Sequence, residues 1–209
     1  MLVHTMPRIN PEYREDAKKK IIDASLEVAK EDGWGSVTLE AIAQKVGVTK
    51  GAFYSYFPSS GTLMQDVLIA MIRRIRDTIL ATLAREENGR VALEGLGDLI
   101  FLEPKPFVPI LIQAFAGMPR DPAFLRRISA LFDENSDIIV RELSRFQEKG
   151  QIPAEVDLKE ATRAIYCMTI GLAFTAHVLG KDVRVTRQVW LNSVERMLLL
   201  DGRGKKGKK

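Results

Sequence analysis

The sequence predicts an all-α protein: a compact unit of three short helices, then a larger helical domain. Three observations carry that prediction. Apolar residues recur at three- and four-residue spacing along most of the chain, and no alternating run marks a strand. Capping residues, glycines and prolines divide this pattern into segments of helical length. One stretch, residues 38–57, holds two helical patterns hinged on a single glycine, Gly47.

The first helix runs from Pro11 or Glu12 to about Asp32, after a polar leading segment, residues 8–13. Ile21, Ile22, Ser25, Leu26, Val28 and Ala29 form its inner stripe, and Lys18, Lys19 and Lys20 lie mostly outside. Gly33 and Gly35 stop it. Trp34 between them is expected to fold back as a core plug, because an exposed indole wastes a large apolar area.

Residues 38–57 are the stretch that the rest of the chain serves. Leu39, Ile42, Ala43 and Val46 give the first helix one buried face, and Thr38 is placed to cap it by accepting from a free amide. Gly47 ends it where a positive φ is needed. Val48 is expected to re-enter the core, and Thr49 to open a second helix, 49–57, with Ala52, Phe53, Tyr56 and Phe57 inward. Ala43 is small enough to let the two helices cross closely. This is the pattern of a helix-turn-helix, whose second helix enters the DNA major groove. Pro58 closes the unit.

Ser59 or Ser60 opens a long helix to about Glu87, with Leu63, Met64, Val67, Leu68, Met71, Ile75, Ile79 and Leu83 as its stripe and Arg73, Arg74 and Arg76 mostly off it. At about 1.5 Å per residue it is long enough to link two domains. A helix over 88–102 follows, with Val91, Leu93, Leu96, Leu99 and Ile100 inside. Pro104, Pro106 and Pro109 interrupt the chain before a short helix over 110–116. Asp121 and Pro122 read as N-cap and first residue of the next helix. It runs to about Lys149 and buries Leu125, Ile128, Leu131, Phe132, Ile138, Ile139, Leu143 and Phe146. Asp157 with Glu160 resembles a capping box for residues 158–179. The run 164–179 is so apolar that burial on nearly all sides is expected, in a core or against a second subunit. It is too short for a membrane span. The last helix, 186–200, carries Val189, Trp190, Val194, Met197 and Leu198 inside.

Composition narrows the function classes. The chain has 209 residues, 46% hydrophobic and 28% charged, as a soluble globular protein does. One cysteine, Cys167, forms neither an internal disulfide nor a zinc site, so a reducing, cytoplasmic setting is expected. Residues 1–10 contain Pro7 and no long apolar core, so no secretory leader is expected, and Met6 is an alternative start. The formal net charge of +4 is no DNA-binding signal. Residues 203–209 hold five Lys/Arg, without which the rest stands at −1, and residues 1–60 hold eight basic and eight acidic residues. That tail reads as a solvated end. Two histidines, no phosphate-binding glycine loop and no metal-ligand cluster disfavour an enzyme. No metal or cofactor is expected.

The chain resembles the TetR family of transcriptional regulators. The resemblance rests on Gly33-Trp34 closing the first helix, on Ile42-Ala43 and Gly47, and on Gly51-Ala52-Phe53-Tyr54-Ser55-Tyr56-Phe57. It is close over residues 12–70 and architectural beyond. The resemblance implies domains at 8–58 (DNA binding) and 59–202 (effector binding and dimerisation), with 203–209 as a basic tail. It implies a homodimer on a double-stranded operator.

In the second helix Thr49, Lys50, Gly51, part of Ala52, Tyr54 and Ser55 do not face inward. Thr49 and Lys50, at its N-terminus, would face phosphate or a base edge. By family position Lys50 and Ala52 approach bases, Lys50 suiting guanine acceptors and the Ala52 methyl suiting thymine. Tyr54 matches a phosphate-contacting tyrosine and Thr38 a backbone-contacting position, while Gly51 lets the main chain come close. Where the family often carries a phosphate-reaching lysine, this chain has Ser59, Ser60 and Gly61. Helix amides and hydroxyls, Lys18–Lys20 or Arg8 would have to compensate.

The helices at 158–179 and 186–200 would pair with their mates as a four-helix bundle. Half-sites would then lie about 34–36 Å apart, or a near multiple. Phe107, Phe115, Met118, Tyr166, Met168, Phe174 and His177 are the candidate pocket for an apolar or aromatic small-molecule effector, although core packing explains them equally well. The expected function is a ligand-responsive repressor, with no membrane role. The alternative is a DNA-binding adaptor or scaffold that dimerises but takes no effector.

Overall fold

The computed structural model describes residues 11–118 and 121–200. Arg8, the alternative start at Met6 and the basic tail lie outside the described residues. Among the described residues there are nine α-helices, one 3-10 turn and no strand. The chain divides into two compact units, Met1–Met71 and Ile72–Lys209.

The first unit contains α1 (Pro11–Asp32), the 3-10 turn Trp34–Ser36, α2 (Leu39–Val46), α3 (Lys50–Phe53) and the start of α4 (Ser60–Arg85). Ile21, Leu26, Val28, Ala29, Trp34, Ile42, Phe53, Phe57 and Leu63 are buried, so Trp34 is the core plug its glycines suggested. The Ser25 hydroxyl, also buried, donates to the Ile21 carbonyl at 2.7 Å. Thr38 caps α2 by accepting from the Ala41 amide at 3.2 Å. Gly47 ends it at φ 74°.

Two expectations fail here. The second helix of the motif is α-helical only over Lys50–Phe53, not over 49–57. Beyond it, Ser55 N–H bonds to Ala52 O at 3.1 Å and Tyr56 N–H to Phe53 O at 2.9 Å, the tighter three-residue winding. Gly51 and the aromatic residues are weak helix formers, and Pro58 disfavours helical backbone at Phe57. Val48 does not re-enter the core but is 37% exposed. The amides of Gly47 and Val48 both bond to Ala43 O, at 2.9 and 3.1 Å, so the reversal is complete before the Val48 side chain can turn inward.

The second unit holds the rest of α4, then α5 (Gly89–Phe101), α6 (Phe107–Gly117), α7 (Pro122–Glu148), α8 (Leu158–His177) and α9 (Val183–Met197). Its core joins Leu83, Leu93, Phe101, Ile139, Leu143, Phe146, Trp190, Val194 and Leu198. α9 packs on α5 and α8, and α7 packs on α8. Asn88, Asp121, Asp157 and Asp182 each accept from first-turn amides.

The Asp182 cap starts α9 at Val183, three residues before the expected Thr186. Pro109 lies in the first turn of α6, where an amide has no helical partner to lose, so that helix begins at Phe107 rather than 110. Val91, Leu125, Val189 and Met197, expected inside, are exposed. Each lies at the margin of its helix's apolar stripe, where coverage depends on a neighbouring element. Among the described residues no helix is long and apolar enough to cross a membrane.

Candidate functional site

The turn at Gly47 and the burial of Phe53 and Phe57 orient the segment between them. With those two rings inward, Thr49, Lys50, Gly51, Tyr54 and Ser55 are exposed and Ala52 is half-buried. Tyr54 is 60% exposed despite its ring. Thr49 caps α3 from extended backbone without using its side chain. A Cβ added at Gly51 would meet nothing within 4 Å, so the fold itself does not require that glycine. The result is one outward strip with few side chains and an open backbone, suited to lie against a groove wall.

Two residues that periodicity did not single out bear on this strip. Glu40, on α2, pairs with the Lys50 ammonium. Arg14, on α1, donates from Nη2 to the Ser55 carbonyl at 3.1 Å. Both contacts join segments apart in the chain, and no spacing in the sequence signals them. Lys45 is a strut between helices. It meets Glu31 at 3.0 Å and Glu27 at 3.2 Å on α1, and the hydrogen bond to Glu31, then that to Glu27, raises its pKa above the usual lysine range. At the start of α4 the Ser59 hydroxyl accepts from the Thr62 amide at 3.1 Å, so it already serves as a cap where the family often has a lysine.

Residues 21–67 match the family described as bacterial regulatory proteins, tetR family. Over 108 residues the chain is 31% identical to the uncharacterized HTH-type transcriptional regulator TtgW of Pseudomonas putida, covering 51% of this chain and 81% of that protein. The chain belongs to the TetR family. This TetR-family regulator is also 26% identical over 170 residues to the HTH-type transcriptional regulator SrpR, again of Pseudomonas putida, covering 81% of this chain and 79% of that one.

Solved structures agree in fold. A TetR transcription regulator from Haloarcula marismortui superposes with a TM-score of 0.65 at 18% identity, covering 88% of this chain and 97% of that chain. RolR in complex with resorcinol does so with a TM-score of 0.60 at 23% identity, covering 90% of each chain.

Within the second unit, this TetR-family regulator has a partly open, apolar cavity of about 80 Å³. Ile79 and Leu83 of α4, Leu93, Leu96 and Ile100 of α5, and Ile139 and Leu143 of α7 line it. So do Thr162, Ile165, Tyr166 and Thr169 of α8, and Trp190, Val194 and Leu198. Of the seven candidate pocket residues, only Tyr166 is among these. Phe107, Phe115, Met118, Met168, Phe174 and His177 are not. Phe115 packs on Phe132, and Phe132 meets the edge of Tyr166. His177 Nε2 lies 3.1 Å from Ile100 O, with its ring stacked on Phe101. Phe174 faces outward.

Those candidates were large apolar side chains, whereas α8 turns a face of mixed character to the cavity, at positions 162, 165, 166 and 169. Burial pushes the Tyr166 phenol up to about 12, against the opposing pull of Arg76. Arg76 Nη1 in turn donates to the buried Asn135 Oδ1 at 3.3 Å.

Of the two alternatives expected for 164–179, burial in this chain's own core accounts for only part of the run. Cys167, Ile170, Gly171 and Phe174 of α8, with Val178 at its C-cap, make an exposed stripe, and Val185 and Val189 are exposed on α9. Among the described residues no cluster of His, Cys, Asp and Glu could hold a metal.

Proposed function

We propose that this TetR-family regulator is a ligand-responsive repressor that binds a palindromic operator as a homodimer, in the cytoplasm, through Thr49–Ser55. The observation that carries the DNA part is the outward strip of Thr49, Lys50, Gly51, Tyr54 and Ser55 on a buried Phe53–Phe57 base. Lys50 and Ala52 would read base edges, and Tyr54 and Thr38 would hold the sugar-phosphate backbone. Thr38 has its Oγ1 engaged by the Ala41 amide, and its hydroxyl proton remains to offer a phosphate.

Dimerisation is supported by the open apolar stripe of α8 and α9, which a matching stripe on a second copy would cover. An effector in the cavity would act through α4, which contributes to both units. Its effect on DNA affinity is limited to its differential affinity for the two states of the dimer.

The test is binding of Lys50→Ala and Tyr54→Ala to the DNA upstream of the chain's own reading frame, across a salt series. Each variant should bind more weakly, and Lys50→Ala, which removes a cation, should also reduce the slope of log affinity against log salt by up to about 0.9. Parent-like affinity and slope in both would reject the assignment. A cavity of about 80 Å³ is well below the roughly 300–1,000 Å³ of drug-sized sites, which favours a second reading, an adaptor without effector. A thermal-shift screen with apolar and aromatic compounds separates the two: no stabilisation by any compound supports the adaptor.

A further inference from the structure

Around the outward strip most cations of the first unit are already engaged. Lys50 is held by Glu40, Lys45 by Glu31 and Glu27, and Lys18 by Glu15 at 3.2 Å. The start of α4, with Ser59, Ser60 and Gly61, brings no charge. Arg14 differs. It is exposed, and among the described residues no carboxylate pairs with it. Glu12 and Asp16 stand two places away along α1 and so lie on the far side of that helix. Its Nη2 donates to the Ser55 carbonyl at 3.1 Å, which places the guanidinium against the main chain of the strip itself, next to the exposed Tyr54. Lys19 and Lys20 are exposed too, but among the described residues no contact joins either to the strip.

We propose that Arg14 is a phosphate clamp of the DNA-binding surface, supplying from α1 the cation that the start of α4 lacks and holding a phosphate that adjoins the one at Tyr54. This rests on the DNA-binding reading above and adds a residue from a different helix to it. An arginine carries five N–H donors in a planar fork that fits phosphate oxygens. One of them is used on Ser55 O, and the others are open to a phosphate. The bond to Ser55 also orders the side chain in the free protein, so that binding has less rotamer freedom to remove. The same bond ties α1 to the strip, so a phosphate held by Arg14 sets the distance of Tyr54 and Ser55 from the groove wall.

The experiment titrates the full chain, Arg14→Gln and Arg14→Lys onto a labelled duplex of the upstream DNA and onto a scrambled duplex of equal length, across a salt series. Glutamine keeps a donor for Ser55 O and loses the charge, whereas lysine keeps both a donor and the charge. Arg14→Gln should reduce the slope of log affinity against log salt by up to about 0.9 per protomer, equivalent to about fivefold in affinity per half-site near about 0.15 M salt. The loss should be alike on both duplexes, because phosphates carry no sequence. Arg14→Lys should keep the parent's slope. A packing role alone would lower the melting temperature and the affinity without moving the slope. Replacing the phosphates of the upstream duplex one at a time by uncharged methylphosphonates should reveal a position in each half-site that weakens the parent but not Arg14→Gln. The parent's slope in Arg14→Gln, an equal fall of slope in Arg14→Lys, or no such phosphate would each overturn the proposal. Lys50→Ala binding more weakly while Arg14→Gln binds as the parent does would reject Arg14 alone. A parent that binds neither duplex would reject the DNA-binding reading and Arg14 with it.

Discussion

In the free protein the Lys50 ammonium is held by the Glu40 carboxylate, and on the proposed reading DNA would have to compete for it. Glu40→Gln removes the competitor and also a negative charge close to the phosphates, and both effects favour binding. Their size is set by solvent exposure. The two side chains are 54% and 63% exposed, which places the pair in the range of ~0–1 kcal/mol typical of surface ion pairs. At the upper end the gain is about fivefold for one half-site and roughly 25-fold for the two of a dimer. Fluorescence anisotropy on a labelled upstream duplex measures it across a salt series. Lys50→Ala should lose affinity and reduce the salt slope, and most of the gain from Glu40→Gln should vanish when Lys50 is also alanine. Unchanged or weaker binding by Glu40→Gln, or an undiminished gain in the double variant, would refute the coupling of Glu40 to the reading residue.

The two glycines of the motif should respond in opposite ways. Gly47→Ala should cost about 1–2 kcal/mol in urea denaturation, because an alanine must adopt φ 74° although nothing obstructs its methyl. Gly51→Ala should leave stability unchanged or slightly raised while weakening operator binding, since space is open in the free chain and the methyl would meet the groove. Phe174→Glu should turn the proposed dimer into a helical monomer by sedimentation, and a dimer of undiminished stability would place the interface elsewhere.

Tyr166 should also leave a mark on alkaline stability. Its folded pKa of about 12 lies above the ordinary 10, so the unfolded chain releases that proton first. Its contribution is complete below pH 10 and is lost as pH rises from 10 through 12. Tyr166→Phe should show a shallower loss than the parent across that window, and equal slopes would refute the burial of the phenol.

The order of helices and most of their ends were legible without coordinates, because those signals are local. α1 spans Pro11–Asp32, Gly47 has its positive φ, and Thr38, Asp121 and Asp157 cap the helices they precede. A cap needs only a side-chain oxygen and the amides two or three residues on, and both are written into neighbouring positions. The outward strip from Thr49 to Ser55 was legible for a similar reason: burying Phe53 and Phe57 decides where the residues between them point.

Tertiary structure decided what depends on a second element. Val48, Val91 and Val189 are apolar at nearly correct spacing, yet each is left partly exposed. Glu40 reaches Lys50, and Arg14 reaches Ser55, only because segments apart in the chain pack together. The cavity went furthest beyond the sequence. Large apolar residues were the natural candidates for its walls, but a wall is chosen by the direction in which a helix face looks.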